Sequence, residues 1–287
     1  MIRPVQTELF AVIGNPVGHS LSPAMMNAAF GAQAIPAVYL ALQVDDLAGD
    51  LDTLAKMGFS GLSVTIPHKE TAFRLASETD ETAAAIGAVN TLRLRGGLWE
   101  GRNTDWLGAN RALYGVTRIE SKRALVIGAG GAARAVVYGL KREGATVAVT
   151  NRSMERGEDL ARAFDCEIIP FEELRRPETG LGIDIVVQCT SVGLAGKEPS
   201  LPLSESFFHP GMVVMDTVYR PLRTPFSCSA KEAGATVVSG LEMLLYQGVA
   251  QLEWWLGRPI PVREGIEVMR QALMKGLAKG LRDEKED

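Results

Sequence analysis

A lysine follows directly on an apolar, strand-like run in the stretch VTIPHKE, residues 64–70. Proline is tolerated in the first turn of a helix, so Pro67 predicts that a strand changes to a helix here. Ligands bind at the carboxyl ends of the strands in open α/β sheets, and a lysine at such an edge can exchange a proton with a bound substrate. The stretch therefore predicts that Lys69 is catalytic, although a solvated lysine on a helix surface also fits the pattern.

Polar side chains that could accompany Lys69 in a site occur in three other short stretches. GRNTDWLG contains Asp105, IGAVNT contains Asn90, and GNPVGHSLSP contains Ser20 and Ser22. Each stretch also has a structural alternative, because Asp105 could cap a helix and either serine could cap the helix that Pro23 begins. Together with Lys69 they favour a site for a small polar substrate.

The stretch ALVIGAGGAARA is a predicted strand followed by a glycine-rich turn and a predicted helix. Gly128 permits the tight turn, Gly130 lets the backbone approach a pyrophosphate, and the small Ala133 lets helix and strand pack closely. The strand-turn-helix context is the one that a dinucleotide site requires. The stretch therefore predicts a Rossmann-type cofactor site.

The next predicted strand ends in NRSMER, at the position where an NAD site would carry a carboxylate against the ribose. Arg152 and Arg156 can instead hold a 2′-phosphate through charge-assisted hydrogen bonds, and Ser153 can add a hydroxyl. The alternative is that both arginines only solvate the start of a helix. Their place at the specificity position favours NADP over NAD.

Strand-like and helix-like segments alternate through most of the chain, which predicts an α/β fold. LFAVIG, AVYLALQ and GLSVTI, each followed by a helix, predict a parallel sheet in a first domain. RALVIG, TVAVTN, IDIVVQCT, MVVMDTVY and TVVSG predict the strands of a second domain. Beyond Gly240, LEMLLYQGVAQLEWWLG and REGIEVMRQALMKGLAKGL show helical spacing of apolar residues and predict two terminal helices.

The composition limits the class of partner. A chain of 287 residues with 46% hydrophobic residues can form two domains, and its net charge of −4 carries no basic arm for nucleic acid or anionic lipid. The start, MIRPVQTELFAVIG, lacks the pattern of a signal peptide, and no apolar run is long enough to cross a bilayer. Three scattered cysteines indicate reduced thiols. We therefore expect a cytoplasmic protein that binds small molecules, with no metal site, as a monomer or a homodimer.

The chain closely resembles the shikimate dehydrogenase family over nearly its whole length. The stretches that carry the resemblance are GNPVGHSLSP, VTIPHK, IGAVNT, GRNTDWLG, GAGGAARA, NRS, CTSVG, DTVYRPLRTP and GLEMLLYQ. The resemblance implies a two-domain α/β fold in which residues 1–105 and 240–287 form the substrate-binding domain. Residues 106–239 would form an inserted NADP-binding Rossmann domain, with a cleft between the two.

The resemblance also implies the activity, namely the reversible reduction of 3-dehydroshikimate to shikimate by NADPH in aromatic amino-acid (chorismate) biosynthesis. It makes Lys69 and Asp105 the catalytic pair. The substrate would contact Ser20, Ser22, Thr65, Asn90, Tyr219 and Gln247. The cofactor would contact Gly128, Gly130, Gly131, Ala132, Asn151, Arg152, Ser153, Arg156, Thr190, Gly240 and Met243.

One position departs from the family pattern, because Gln188 stands two residues before Thr190 where the resemblance predicts asparagine. This puts one local hydrogen bond in doubt. Two other functions stay open at this point. One is a quinate dehydrogenase or an enzyme with dual quinate/shikimate specificity, and the other is a non-catalytic NADP-binding regulator of the same fold. A regulator would be expected to lose Lys69 or Asp105, and this chain has both.

Overall fold

The computed structural model describes residues 7–194, 197, 200–204 and 206–283. The chain divides into two compact units. The first runs through Thr104 and resumes at Gln247, and the second is Asp105–Tyr246. Among the described residues, no helix combines the length and the apolar character needed to cross a lipid bilayer. The predicted domain ranges stay a prediction, and the units differ from them by dividing the helix Gly240–Leu256 after Tyr246.

Strands and helices alternate along the first hundred residues. The elements are β1 (Glu8–Gly14), α1 (Ser22–Ala32), β2 (Ala37–Gln43), α2 (Leu47–Lys56), β3 (Phe59–Val64), α3 (Lys69–Leu75), β4 (Glu78–Thr79), α4 (Glu81–Ile86), β5 (Thr91–Arg95) and β6 (Leu98–Arg102). Helix α3 begins at Lys69 and not at the predicted Pro67, because the chain first makes a tight turn in which the amide of His68 donates to the carbonyl of Thr65 at 3.0 Å.

Strands and helices alternate in the same way through the second unit, and the remainder of the chain, which returns to the first unit at Gln247, is helical. The elements are α5 (Asp105–Tyr114), β7 (Arg123–Ile127), α6 (Gly131–Arg142), β8 (Thr146–Thr150), α7 (Met154–Phe164), β9 (Glu167–Ile168), two 3₁₀ turns (Phe171–Arg175 and Pro177–Gly180), β10 (Ile185–Gln188), β11 (Val213–Asp216), α8 (Pro225–Glu232), β12 (Thr236–Ser239), α9 (Gly240–Leu256), a π-helical turn (Val262–Glu267) and α10 (Val268–Asp283). The two predicted terminal helices are confirmed as α9 and α10.

The sheet of the first unit has six strands in the order β2-β1-β3-β5-β6-β4. Strands β2, β1 and β3 are parallel, as predicted. Strand β5, which was not among the predicted strands, runs antiparallel to both β3 and β6, whereas β6 and β4 are parallel to each other. Gly96 and Gly97, both with positive φ, form the two-residue turn of the hairpin of β5 and β6. A Gly-Gly turn between two apolar runs is a hairpin signal, and it is present in the sequence as LRLRGGLWEGR.

The outer strand of this sheet is held by a side chain from helix α1. The Nδ2 of Asn27 donates to the carbonyl of Tyr39, and the amide of Tyr39 donates to the Oδ1 of Asn27, each at 2.8 Å. Strand β2 lies at the edge of the sheet, so these two backbone groups would otherwise face outward. The amide of Asn27 therefore replaces a neighbouring strand at the middle of β2.

The sheet of the second unit has the order β12-β11-β10-β7-β8-β9 and is parallel throughout. The five predicted strands are confirmed, and the short β9 adds a sixth. Helix α6 packs against one face through a stripe of buried residues, Ala133, Val136, Val137 and Leu140. A second cluster with Leu125, Ile127, Val186 and Val214 covers the opposite face. Strands buried on both faces explain why they read as continuous apolar runs.

Candidate functional site

The two serines lie at the start of helix α1. Helix α1 begins at Ser22, and Leu21 occupies its cap position without a side-chain cap bond. The Oγ of Ser20 accepts a hydrogen bond from the amide of Ser22 at 3.2 Å. Ser22 is buried, whereas Ser20 is half-buried. Because one lone pair of Ser20 is used by this backbone amide, its hydroxyl hydrogen can be donated to an anionic group of a ligand.

Asn90 and Gln247 come together in the buried interior of the first unit, although they are far apart in the sequence. The Nδ2 of Asn90 donates to the Oε1 of Gln247 at 3.3 Å and to the Oγ1 of Thr104 at 3.0 Å. The Oδ1 of Asn90 accepts from the amide of Thr104 at 2.8 Å. Two predicted substrate-binding amides are therefore oriented by each other and by the residue that precedes Asp105.

A chain of buried hydrogen bonds that sequence reasoning missed reaches the same asparagine. The hydroxyl of Tyr39 donates to Ser63 at 2.5 Å, the hydroxyl of Ser63 donates to the Oε1 of Gln251 at 2.7 Å, and the Nε2 of Gln251 donates to the carbonyl of Asn90 at 3.2 Å. Burial is the largest influence on the Tyr39 hydroxyl and raises its pKa, while its hydrogen bonds with Ser63 and Ser22 oppose the rise. Tyr39 therefore stays neutral and acts as a donor.

Lys69 and Thr65 lie on either side of the turn between β3 and α3. Lys69 is the first residue of α3 and is half-buried, and its carbonyl accepts from the amide of Val89 at 2.9 Å. Thr65 follows β3, and its amide donates to the carbonyl of Ile13 at 2.9 Å. A Cβ at Gly14 would lie 2.4 Å from the Cγ2 of Thr65, so only glycine allows this close approach of β1. The predicted change from strand to helix is therefore present, with the helix beginning at Lys69 and not at Pro67.

Asp105 is the first residue of α5 and is buried, with 4% of its surface exposed. The neighbouring Trp106 packs edge-on against Tyr138 of α6 with ring centroids 5.7 Å apart. One turn later, the Nδ2 of Asn110 donates to the carbonyl of Gly139 at 2.9 Å. A Cβ at Gly139 would come within 2.7 Å of the Asn110 side chain, so glycine permits this close packing. Helix α6 thereby fixes the helix that carries Asp105.

The glycine-rich turn lies between β7 and α6, as predicted. Gly128 has φ +121°, and a Cβ there would lie 3.2 Å from the carbonyl carbon of Cys189 and from the Cγ2 of Thr190. Gly130 is the cap residue of α6 and has open space where a Cβ would be. Gly131 and Ala132 form the first turn of α6 and are half-buried. The amides at this helix start can receive a phosphate because its backbone is unobstructed.

The NRS stretch connects β8 to α7. Arg152, Ser153 and Arg156 are exposed, and Ser153 is the cap residue of α7 without a side-chain cap bond. The Nδ2 of Asn151 donates to the carbonyl of Ser153 at 2.9 Å and closes the turn. Two guanidinium groups and a hydroxyl therefore lie together at the end of the strand next to β7, where the ribose of a dinucleotide is recognised.

Gln188 is fully buried at the end of β10. It stands where the family resemblance predicts asparagine, and it still makes the local hydrogen bond expected of that asparagine. Its Oε1 accepts from the amide of Thr190, and its Nε2 donates to the carbonyl of Val192 at 2.9 Å. The same Nε2 reaches the Oδ1 of Asp216 on the neighbouring strand at 3.3 Å. Gln188 therefore makes the local bonds to Thr190 and Val192 and an additional bond to Asp216.

Asp216 is buried at the end of β11 and accepts three hydrogen bonds. Besides Gln188, its donors are the amide of Val218 at 3.0 Å and the hydroxyl of Thr224 at 2.5 Å. Desolvation by burial is the largest influence and raises the pKa of this carboxyl to about 6, against which the bonds from Thr224 and Val218 act. Tyr219, the predicted contact of the substrate carboxylate, is half-buried in the loop that Asp216 begins.

The pKa of Asp216 predicts how stability depends on pH. The folded protein holds this proton more tightly than the unfolded chain, so its contribution is full below about pH 4 and is lost as the pH rises through about 6. A difference of two pKa units corresponds to about 3 kcal/mol. We expect the stability of Asp216→Asn relative to the wild type to rise by about this amount between pH 4 and pH 7.5 in denaturant titrations. Parallel stability curves would contradict the assignment.

Helix α9 begins at Gly240 directly after β12. A Cβ at Gly240 would lie 2.6 Å from the carbonyl oxygens of both Asp216 and Thr217, so a larger residue would displace the backbone at the end of β11. Met243, one turn later, is buried and packs into the core beneath the sheet. Within the described residues, no three histidine, cysteine, aspartate or glutamate side chains lie close enough together to hold a metal ion.

Three family models match successive parts of the chain. Residues 12–92 match the shikimate dehydrogenase substrate binding domain. Residues 110–195 match shikimate / quinate 5-dehydrogenase, and residues 240–274 match the shikimate 5′-dehydrogenase C-terminal domain. The three matches follow one another in chain order and together cover most of the sequence.

Similar proteins span the whole chain. The shikimate dehydrogenase (NADP(+)) of Syntrophobacter fumaroxidans is 61% identical over 97% of this chain and 98% of its own. The crystal structure of shikimate dehydrogenase from Aquifex aeolicus has a TM-score of 0.86 and 36% identity over 95% of this chain and 99% of its own. Shikimate 5-dehydrogenase from Thermus thermophilus, solved in complex with NADP(H) and shikimate, has a TM-score of 0.82 and 37% identity over 92% and 99% of the two chains.

Proposed function

The chain belongs to the shikimate dehydrogenase family, and we propose from this that it is an oxidoreductase that reversibly reduces 3-dehydroshikimate to shikimate with NADPH. The observation that carries the proposal is 61% identity with an NADP-dependent shikimate dehydrogenase over 97% of the chain. This reaction belongs to aromatic amino-acid biosynthesis by way of chorismate. Lys69, Asp105 and the polar residues proposed to contact the substrate all lie in the short stretches that carry the family resemblance.

The substrate is a ring with hydroxyl groups and a carboxylate, and the proposed contacts suit these groups. Ser20, Ser22 and Tyr219 would hold the carboxylate through hydroxyl donors. Asn90, Thr65 and Gln247 would bind the ring hydroxyls. The support for the second set is the buried bond between Asn90 and Gln247, because a ligand that accepts from one amide can at the same time donate to the other.

NADP fits the second unit. The unobstructed amides around Gly130 and Gly131 suit the pyrophosphate, and Thr190 borders the same turn. Arg152 and Arg156 suit the 2′-phosphate of NADP. Asn151 and Ser153, the residues on either side of Arg152, are proposed to contact the cofactor as well. Gly240 and Met243 are proposed to lie against the nicotinamide. When bound, the cofactor supplies the hydride that is exchanged with the carbon bearing the reacting oxygen.

The proton that accompanies the hydride is proposed to move through Lys69. Its ammonium group can give a proton to the developing alkoxide in the direction of reduction, and its amine can take the proton back in oxidation. Asp105 is proposed as the carboxylate of the catalytic pair, which orients the lysine. Neither role requires a metal ion.

Domain roles and location complete the proposal. Residues 1–105 with 240–287 are proposed to bind the substrate, and residues 106–239 are proposed to bind NADP. We propose the cytoplasm as the location, because the three cysteines are few and scattered through the sequence, which indicates reduced thiols as in reducing compartments. The protein is proposed to act on small molecules as a monomer or a homodimer.

The direct test measures initial rates with each of two substrates, shikimate and quinate, in combination with each of two cofactors, NADP and NAD. We expect strong reduction of NADP by shikimate, measured as the appearance of reduced nicotinamide absorbance, and much weaker rates with quinate or with NAD. Comparable rates with quinate would make the protein a dual quinate/shikimate enzyme, which the model matched by residues 110–195 also describes. Binding of NADP and shikimate that raises the melting temperature without turnover would instead indicate a regulator.

A further inference from the structure

Gln188 fixes the turn that follows β10. Its amide group pairs with both ends of that turn, accepting from Thr190 and donating to the carbonyl of Val192 at 2.9 Å. Within the turn, the Oγ1 of Thr190 accepts from the amide of Val192 at 3.2 Å. The side chain has 0% of its surface exposed, so water does not compete for these bonds. The turn that carries Thr190 is therefore held from beneath by one buried amide.

Asp216 fixes the loop that follows β11 through side-chain hydrogen bonds, as Gln188 fixes the turn after β10. Gln188 and Asp216 are direct partners in the parallel register of β10 and β11. Asp216 accepts from Val218 at 3.0 Å and from Thr224 at 2.5 Å, so its carboxylate joins the two ends of the segment that carries Tyr219. The 3.3 Å bond from Gln188 to Asp216 links the two loops side by side.

Stability alone does not account for this pair. The preceding residues on the same faces, Val186 and Val214, are valines with 0% of their surface exposed, and the strands pack well around them. Burying a carboxylate at the strand end carries a desolvation cost that an apolar residue of similar volume would avoid. A polar pair at this place is better explained by the geometry that it imposes on the loops.

We propose that Gln188 and Asp216 are positioning residues for the reaction, which hold the Thr190 turn and the Tyr219 loop in a single arrangement before NADP and substrate bind. The inference rests on the proposed function, because Thr190 is proposed to contact the cofactor and Tyr219 the substrate carboxylate. Loops fixed in advance lose less conformational entropy on binding, so the pair contributes to the affinity for both ligands.

The length of Gln188 allows a sharp test. Asparagine is shorter by one methylene, about 1.5 Å, and so cannot keep the bonds to the Thr190 turn and the bond to Asp216 together. We expect Gln188→Asn to raise KM for both shikimate and NADP by ~3–10-fold, the loss of about one hydrogen bond, with kcat at saturation within ~2-fold of the wild type. Steady-state rates with each ligand varied in turn give both values.

Matched controls separate positioning from stability. Val186→Ala and Val214→Ala each remove buried volume two residues earlier on the same face of the same strand, so they lower the melting temperature without touching the loops. We expect both KM values to stay at the wild-type level in these controls. Asp216→Ala should raise both KM values as Gln188→Asn does. Asp216→Asn keeps an oxygen that accepts from Gln188 and Val218, so its KM values should stay near those of the wild type.

Two results would overturn the inference. One is an unchanged KM for both ligands in Gln188→Asn and Asp216→Ala, and the other is an equal rise of KM in the valine controls. Affinity for NADP alone, measured by quenching of protein fluorescence, gives the same comparison without turnover. If the wild type failed to oxidise shikimate, the proposed function would fail, while the NADP affinities of these variants would still decide whether the pair positions the Thr190 turn.

Discussion

Replacing Lys69 with alanine is expected to lower the turnover of shikimate with NADP by at least ~10²-fold, the lower end of the range for lost proton transfer. Lys69 begins α3 at the carboxyl edge of the sheet of the first unit, so the substitution leaves β3 and its neighbours in place. KM for NADP should change little, because the cofactor is proposed to bind the second unit. Initial rates of absorbance change at saturating substrate measure the effect.

Two further variants make the Lys69 result specific. Lys69→Arg keeps the positive charge but cannot release its proton near neutral pH, so it should be nearly as slow as alanine. Lys56→Ala removes an exposed lysine that pairs with Asp52 on α2, and its turnover should match the wild type. Near-normal turnover of Lys69→Ala would show that another group carries the proton.

Arg152→Ala is expected to lower kcat/KM for NADP by ~10–100-fold and to leave kcat/KM for NAD largely unchanged. The physical reason is that a charge-assisted bond to a phosphate contributes about 1.5–3 kcal/mol, and NAD lacks the 2′-phosphate. The difference between the cofactors should appear mainly in KM, since the contact is present in both the ground state and the transition state. Rates with each cofactor at fixed shikimate measure it.

An exposed arginine on α7, the helix that follows Arg152, provides the control. Arg162 lies near the end of α7 and pairs with Asp159 three residues earlier. Arg162→Ala should leave kcat/KM unchanged for both NADP and NAD, because Arg162 lies away from the end of β8. An equal loss with NADP and NAD in Arg152→Ala would mean that the arginine supports the turn and does not recognise the 2′-phosphate.

Six of the eight predicted strands are buried along most of their length and therefore appear as mostly apolar runs, which is why they could be predicted from the sequence. The five predicted strands of the second unit and the two terminal helices follow from such runs and from helical spacing. The hairpin of β5 and β6 was not predicted, because neither strand is a continuous apolar run. The sequence signal for it is the pair Gly96 and Gly97, which favours a two-residue hairpin turn over a crossover.

The candidate site was only partly accessible from sequence. Short stretches identify the chemical groups, because a lysine after a strand or a glycine-rich turn has a local physical meaning. Contacts between distant residues have no such local pattern, and the bond between Ser63 and Gln251 joins residues 188 positions apart. The role of Gln188 was likewise invisible, since its partner Asp216 becomes a neighbour only when β10 and β11 pair.

The bonds between Asn27 and Tyr39 have a consequence for self-association. An edge strand with unsatisfied amides and carbonyls is a template on which a strand from another molecule can add, and that is a common route to aggregation. In β2 the central outward-facing groups are already used by a side chain of α1. Addition of a strand from a second copy at the middle of β2 would have to break these two bonds, which makes extension of the sheet through this edge less favourable.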